Sequence, residues 1–379
     1  MVTPVSRINL AGFDFGAQND GTYTASNGNP AYPPPESQID HFLSQNVNFF
    51  RIPVAWEYLQ SEVNGALNEK NLATYKKYID QITEKKAYVA IDLHAYARFK
   101  GQIVGESPTM PATALANFWS QMGAVFKNNT YVMLGLVNEP HDLDIHKWAK
   151  TVNTTVEKLR KKDINNVLLI PGTEYTAMKA FPEWYPAMKD VKNPDGSLDG
   201  LVFEVHRYLD SDNSGKDTKC VASHADEVQK LVEILKDDGR QVLLGEIGGG
   251  NTESCVKFLP ELAEAVKNAY PTFAGLAMWA AGSFDASYEL VTTVKNATSP
   301  TGWTDQPNWL SIKPFIPAKG SDKGTESQKK EGGKKHNTKT RALLQPLKSL
   351  EQSPSCTVEW WNSFGGFLRG SAYPLQVQT

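Results

Sequence analysis

Eight short apolar runs, separated by longer amphipathic stretches, constrain this chain more than any other feature. The runs are INLAGF (residues 8–13), NFFRIP (48–53), AYVAIDLH (87–94), YVMLGLVNE (131–139), NVLLIPG (166–172), LVFEVH (201–206), QVLLGEIG (241–248) and FAGLAMWA (273–280). Helical periodicity fills most of the gaps, at 72–84, 114–127, 148–161, 225–236 and 259–268. A run without alternation reads as a strand buried on both faces, and such strands alternating with helices make parallel βαβ units. Eight units in about 300 residues predict an α/β chain folded as a (β/α)8 TIM barrel. The competing architecture, a doubly wound open sheet, usually carries G-x-G-x-x-G after its first strand. AGFDFGAQ (11–18) does not match that pattern.

Of the 379 residues, the last sixty differ in character. Between Lys319 and Arg341 there are seven Lys and one Arg against one Asp and two Glu, with almost nothing apolar. Such a stretch cannot bury enough surface to order itself. The expected division is a catalytic domain over 1–318 and a basic, disordered C-terminal extension over 319–379, from which no function is drawn. A basic run can attract nucleic acid, but the whole chain carries a net charge of −3, and no nucleic-acid partner is expected. No apolar run approaches the roughly 18 residues of a membrane span, so no membrane partner is expected either.

Three cysteines give one pair and one remainder. Cys220 and Cys255 both flank strand-end loops and read either as a bridge or as two buried thiols; Cys356 lies in the extension. N-x-Ser/Thr triplets begin at Asn128, Asn153 and Asn296 and lend secretion slight support. No signal peptide is visible in the opening Met1-Val2-Thr3-Pro4.

Polar residues gather at the ends of the predicted strands. Arg51 closes the second run, Asp92 and His94 the third, Asn138 and Glu139 the fourth. His206 and Tyr208 follow from the sixth, Glu246 from the seventh and Trp279 from the eighth. In a barrel these ends converge on one mouth, so the set predicts a single site. Two carboxyls facing each other there, Glu139 and Glu246, suit glycoside cleavage: one protonates the leaving oxygen and the other attacks the anomeric carbon. Arg51, His206 and Tyr208 are expected to hold the attacking carboxylate ionised, and Asn138 to bond a sugar hydroxyl. Trp279, with Trp56 and Trp303, offers flat faces on which a pyranose can stack. Pro140 keeps the fourth strand from extending its ladder.

At these residues the chain resembles glycoside hydrolase family 5, and most closely the fungal endo-β-1,4-glucanases. The resemblance rests on INLAGFDFG, FFRIPVAWEYL, DLHAYAR, NEPHD, FEVHRYLDSDNSG, GEIGGGN, WAAGSFD and GWTD, and spans about residues 7–310. It implies a retaining double displacement on internal bonds of β-1,4-glucan, with Glu139 as general acid/base and Glu246 as nucleophile. The supporting shell it implies is Arg51, His94, Asn138, His206, Tyr208 and Trp279. Cys220 and Cys255 match a pair that is bridged in similar fungal enzymes. No cofactor or metal is implied, and the expected enzyme is an extracellular monomer. The chain departs from the family's pattern at Ala95, where relatives often carry Asn. It departs again at Ala17 and Tyr23, in the first loop where relatives often carry cysteines. No Cys-rich cellulose-binding module is recognisable.

Other β-glycans, such as mannan, xyloglucan and mixed-linkage glucan, stay open as substrates of the same site. A metal-dependent barrel hydrolase would want H-x-H or H-E-x-x-H, and neither occurs. A non-catalytic glycan-binding protein would be expected to lack one of the two glutamates.

Overall fold

A computed structural model describes residues 7–24 and 32–316. Eight parallel strands close into a barrel. They are β1 (Arg7–Ala11), β2 (Phe49–Val54), β3 (Tyr88–Leu93) and β4 (Val132–Gly135). β5 (Leu168–Pro171), β6 (Leu201–Tyr208), β7 (Gln241–Gly248) and β8 (Phe273–Gly282) complete the ring. All eight apolar runs are strands, and β8 closes on β1 through the pairs Arg7–Ala277 and Ile8–Met278.

A helix follows each strand. These are α1 (Glu36–Ser44), α2 (Glu69–Glu84), α3 (Ala112–Phe126), α4 (Ile145–Arg160), α5 (Phe181–Met188), α6 (Ala225–Leu235), α7 (Glu253–Asn268) and α8 (Pro307–Ile312). Side-chain caps start two of them where the helical period begins. Asn68 accepts from the Asn71 amide ahead of α2, and Asp144 accepts from those of His146 and Lys147 ahead of α4. α1, α5 and α8 escape the sequence reading because each is short and lies among prolines and aromatics. Among the described residues, no helix is long and apolar enough to cross a membrane. The extension expected over 319–379, Cys356 included, lies outside the described residues.

The barrel interior explains where the site sits. Phe49, Ala90, Met133, Leu169, Val202, Leu243 and Ala277, one from each of β2 to β8, pack together as an apolar layer. Arg7 of β1 lies over the Phe49 ring at 4.6 Å and donates to the Ala274 carbonyl at 2.7 Å; burial pulls its pKa down to about 10. Successive side chains alternate across a strand, so the residues two further on share the inward face. Those residues are Asn9, Arg51, Asp92, Gly135, Pro171, Glu204, Gly245 and Trp279. The same alternation that fills the apolar layer therefore builds a polar layer on the side where the strands end.

Candidate active site

Arg51 is the centre of that polar layer. It is wholly buried, and its guanidinium touches groups from four other strands and from the segment that follows β4. Nη1 donates to Glu246 Oε1 at 2.7 Å and to Asn9 Oδ1 at 3.1 Å, and Nη2 donates to Asn138 Oδ1 at 2.8 Å. Nη2 also pairs with Asp92 at 3.0 Å, while Nε lies 2.8 Å from Glu204 Oε1 as an ion pair without hydrogen-bond alignment. Burial works against the charge of Arg51, but Asp92, Glu204 and Glu246 outweigh it and raise the pKa. A cation so placed offsets the cost of burying the carboxyl groups packed around it.

Glu246, 2% exposed, has both oxygens bound: Oε1 by Arg51, and Oε2 by the Tyr208 hydroxyl at 2.6 Å. Burial, and then Glu246 itself, push the Tyr208 pKa well up, so the phenol keeps its proton and donates. Glu139 is differently placed. It follows β4 in the left-handed backbone region at φ 45°, a conformation costly for a residue other than glycine and common at functional sites. Its side chain is 17% exposed, and Oε1 is 2.8 Å from His206 Nδ1. Burial opposes the charge of His206, but Glu246, Glu139 and Glu204 around it push its pKa up to about 10. His206 is thus a cation whose Nδ1 donates to Glu139 and lies 3.6 Å from Glu246 Oε2. A register shift after Val205 is what sets His206 beside Glu246 in the β6–β7 pairing. A carboxylate oxygen of Glu139 and one of Glu246 lie within 4.8 Å of each other.

His94 completes the far wall. Its Nδ1 is 2.9 Å from Asp92 Oδ2, its ring stacks at 5.8 Å on Trp279, and its Nε2 is 3.3 Å from both Tyr96 Oη and Asn138 Nδ2. Burial disfavours its charge, but Asp92 more than compensates and raises its pKa. Trp279 donates from Nε1 to the Tyr288 hydroxyl at 3.0 Å. Above these groups opens a cleft of about 680 Å³, lined among others by His94, Glu139, Tyr208, Glu246 and Trp279.

The structure thus brings Arg51, His94, Asn138, Glu139, His206, Tyr208, Glu246 and Trp279 together, with three differences from the sequence reading. Asn138 is 1% exposed: its Oδ1 accepts from Arg51, and its Nδ2 lies 3.3 Å from His94 Nε2. Trp56 is not on the rim. It is 1% exposed in the short helix Trp56–Leu59, packs on Phe99 and Phe118, and donates to Gln60. A tryptophan two residues beyond a barrel strand can turn either into the cleft or under the next helix, and here the apolar space under α3 takes it. Trp303 is 6% exposed and lines a separate hollow of about 510 Å³ with Tyr32 and Phe284, its Nε1 bound to Ser37.

Several site residues were not singled out in the sequence. Glu204 is 1% exposed beneath the two glutamates; burial would raise its pKa, but Arg51 and His206 hold it below the usual range. It shares the inward face of β6 with His206 and Tyr208, so period-two spacing in FEVHRY was the available signal. Gly245 makes its room, since a Cβ there would sit 2.0 Å from Glu204 Oε1. Tyr175 stands on the rim, stacked at 4.2 Å on His141 within a run of three left-handed residues, Glu174 to Thr176. Cys220 and Cys255 are bridged, joining the loop after β6 to the first turn of α7.

The family model described as Cellulase (glycosyl hydrolase family 5) matches residues 8–283. The manganese dependent endoglucanase Eg5A of Phanerodontia chrysosporium is 38% identical over 316 residues, 82% of this chain and 79% of that protein. Endoglucanase EG-II of Hypocrea jecorina is 34% identical over 313 residues, 79% of this chain and 74% of its own length. The crystal structure of Cel5A (EG2) from Hypocrea jecorina superposes with a TM-score of 0.75 at 32% identity, covering 82% of this chain and 98% of the other. XacCel5A in complex with cellopentaose superposes with a TM-score of 0.73 at 27% identity, covering 83% and 100%. By the extent of the family match and the identity of these relatives, the chain belongs to glycosyl hydrolase family 5.

Proposed function

We propose that this protein is an endo-acting, retaining β-1,4-glucanase whose catalytic unit is the barrel. The observation that carries the mechanism is the spacing of the two glutamates. Retaining glycosidases hold their carboxyl groups about 5–5.5 Å apart, whereas inverting ones leave about 6.5–9.5 Å for a water. One oxygen of Glu139 lies within 4.8 Å of one of Glu246, which favours the shorter, retaining spacing.

The surroundings assign the roles. Glu246, bound by a guanidinium and a phenol, is held as the anion a nucleophile must be. Its oxygen attacks the anomeric carbon, and the glycosidic carbon–oxygen bond breaks. Glu139, more exposed and held through one oxygen by His206, gives its proton to the departing oxygen. A water then enters, loses its proton to Glu139 and displaces Glu246 from the anomeric carbon. The substrate reading draws on the endoglucanase names of the relatives and on the structure of one neighbour with cellopentaose. Trp279 forms part of the floor on which a glucosyl ring can stack. Secretion as a monomer is part of the same reading, supported by the disulfide and by the fungal relatives.

One relative is named for manganese dependence. Glu139, His206 and Glu246 present ligand atoms close enough for a cation, but the donors do not suit one. His206 carries a proton, and both oxygens of Glu246 are already bound. No step is therefore assigned to a metal at the dyad.

The test is reducing-end release from carboxymethylcellulose, mannan, xylan and xyloglucan in a chelating buffer. Viscosity would be followed, early products read by NMR, and the full chain compared with one ending at Pro317. Internal cutting of carboxymethylcellulose by both chains, with the β-anomer formed first, is expected. Mannan cut about tenfold faster, or an inverted anomer, would overturn the reading.

A further inference from the structure

The loop after β6 holds Tyr208 by an arrangement that the double displacement does not itself require. Asn213 uses one side-chain oxygen twice: Oδ1 accepts from the Tyr208 backbone N–H at 2.9 Å and from Arg207 Nη1 at 2.6 Å. Arg207 and Tyr208 are neighbours on β6 and point to opposite sides of the strand. Tyr208 faces the barrel interior and Glu246. Arg207 faces outward, where Nη2 pairs with Glu227 of α6 at 3.1 Å. Asn213 thus joins the outside of the barrel to the residue that touches the catalytic carboxylate.

The rest of the loop closes on the ring. Gly215, at φ 70°, lies so near that a Cβ would come within 2.7 Å of Tyr208 Cδ1, and a Cβ on Gly248 would come within 2.6 Å of the same atom. Two glycine backbones thus close on the Cδ1 and Cε1 atoms of the ring, where any side chain would collide. The loop keeps this shape through Asp210, 2% exposed, whose Oδ2 accepts from Ser214 Oγ, Lys216 N and Asp217 N. Asn213 sits at φ 67°, a conformation open to Asn, Asp and Gly but costly for other residues.

We propose that Asn213, braced by Arg207, is a positioning residue that sets the Tyr208 hydroxyl against Glu246. The proposal rests on the reading of Glu246 as nucleophile. Asn213 also lines the cleft, but its Oδ1 is taken up by Arg207 and the Tyr208 N–H. An effect exerted through Tyr208 belongs in the turnover of the first chemical step and vanishes when the phenol oxygen is gone, whereas a direct contact with the sugar would show in KM.

A double-mutant cycle tests this, read on dinitrophenyl cellobioside, whose leaving group needs no proton and so reports attack by Glu246 directly. Asn213→Gly deletes the acceptor without straining the backbone, and Asn213→Asp keeps it. In the otherwise native enzyme, Asn213→Gly should lower kcat on the order of tenfold with KM little changed, as expected for misplacement of a group that supports the reacting atom. The acidic limb of its kcat/KM profile should move to higher pH, as in Tyr208→Phe. Asn213→Asp should regain most of the rate. In the Tyr208→Phe background, Asn213→Gly should cost less than about twofold, since coupled residues are non-additive. Equal losses in both backgrounds, a loss confined to KM, or an Asn213→Asp as poor as Asn213→Gly would overturn the clamp alone. A Tyr208→Phe enzyme with native kcat would overturn both the clamp and the part given to Tyr208.

Discussion

Glu139 and Glu246 are chemically the same residue in two different settings, and the settings predict two different failures. Glu246→Ala removes the attacking oxygen, so a better leaving group should not help it, and azide entering from the emptied side should give an α-glycosyl azide. Glu139→Ala should still form the glycosyl-enzyme from dinitrophenyl cellobioside, then stall, with azide releasing a β-glycosyl azide. On an unactivated glucan each variant should fall at least about a hundredfold, the lower end of what a positioned acid or base contributes. Product anomers after a circular dichroism check decide the matter, and the opposite pattern would exchange the two roles. At this scale the sequence was informative where chemistry and strand-end position coincide. It was silent where the answer depends on which way a ring turns. Trp56, Trp279 and Trp303 are the same letter, and only the neighbours of each decide between core, cleft and hollow. Glu204 was hidden for a related reason: it interrupts an apolar run by a single letter, and its partner Arg51 is more than 150 residues away.

The strands were legible because burial on both faces leaves a continuous apolar signature, whereas the segments that shape the cleft are built from turns. The loop over 209–217 and the left-handed run Glu174 to Thr176 owe their form to side-chain-to-backbone bonds and positive φ angles, which no periodicity announces. The first loop is similar. Ala17 and Tyr23, noted where relatives often carry cysteines, pair through their backbones as an isolated antiparallel bridge. The Cys220–Cys255 bridge closes a sequence separation of 35 and packs against Gly249, where a Cβ would meet both sulfurs. Replacing both cysteines with Ala should cost about 3–4 kcal/mol on the loop-entropy account and lower the melting temperature. Turnover below melting should stay within about twofold, because Asp210 and Asn213 hold the cleft loop independently of the bridge. Calorimetry and initial rates on the double variant check both halves; a fall in kcat matching the fall in stability would show that the bridge supports the loop after all.

For the whole molecule, the buried charge has a consequence for its stability in alkali. His206 has its pKa raised to about 10 in the folded chain, against an ordinary value near 6.5. The folded state therefore keeps a proton that the unfolded chain gives up. Stability from this group is fully present below about pH 6.5 and is lost as pH rises toward 10, at no more than about 1.4 kcal/mol per pH unit. Denaturant midpoints measured from pH 6 to 10 should fall accordingly, and His206→Gln should show a flatter dependence over that window. An identical slope in the two proteins would mean that His206 does not hold its proton there.

The ring of strands also dictates when the chain can first do chemistry. Arg51, on β2, draws partners from β1, β3, β6 and β7, with Asn138 following β4, and Trp279 arrives only with β8, which must find β1 across nearly the whole length of the barrel. A ribosome that has made Glu139, and even Glu246, has not yet made a hydrolase. The acids wait without a floor for the sugar until the last strand emerges and meets the first. Competence to cut a glucan is thus among the last properties the growing chain acquires, and it arrives all at once.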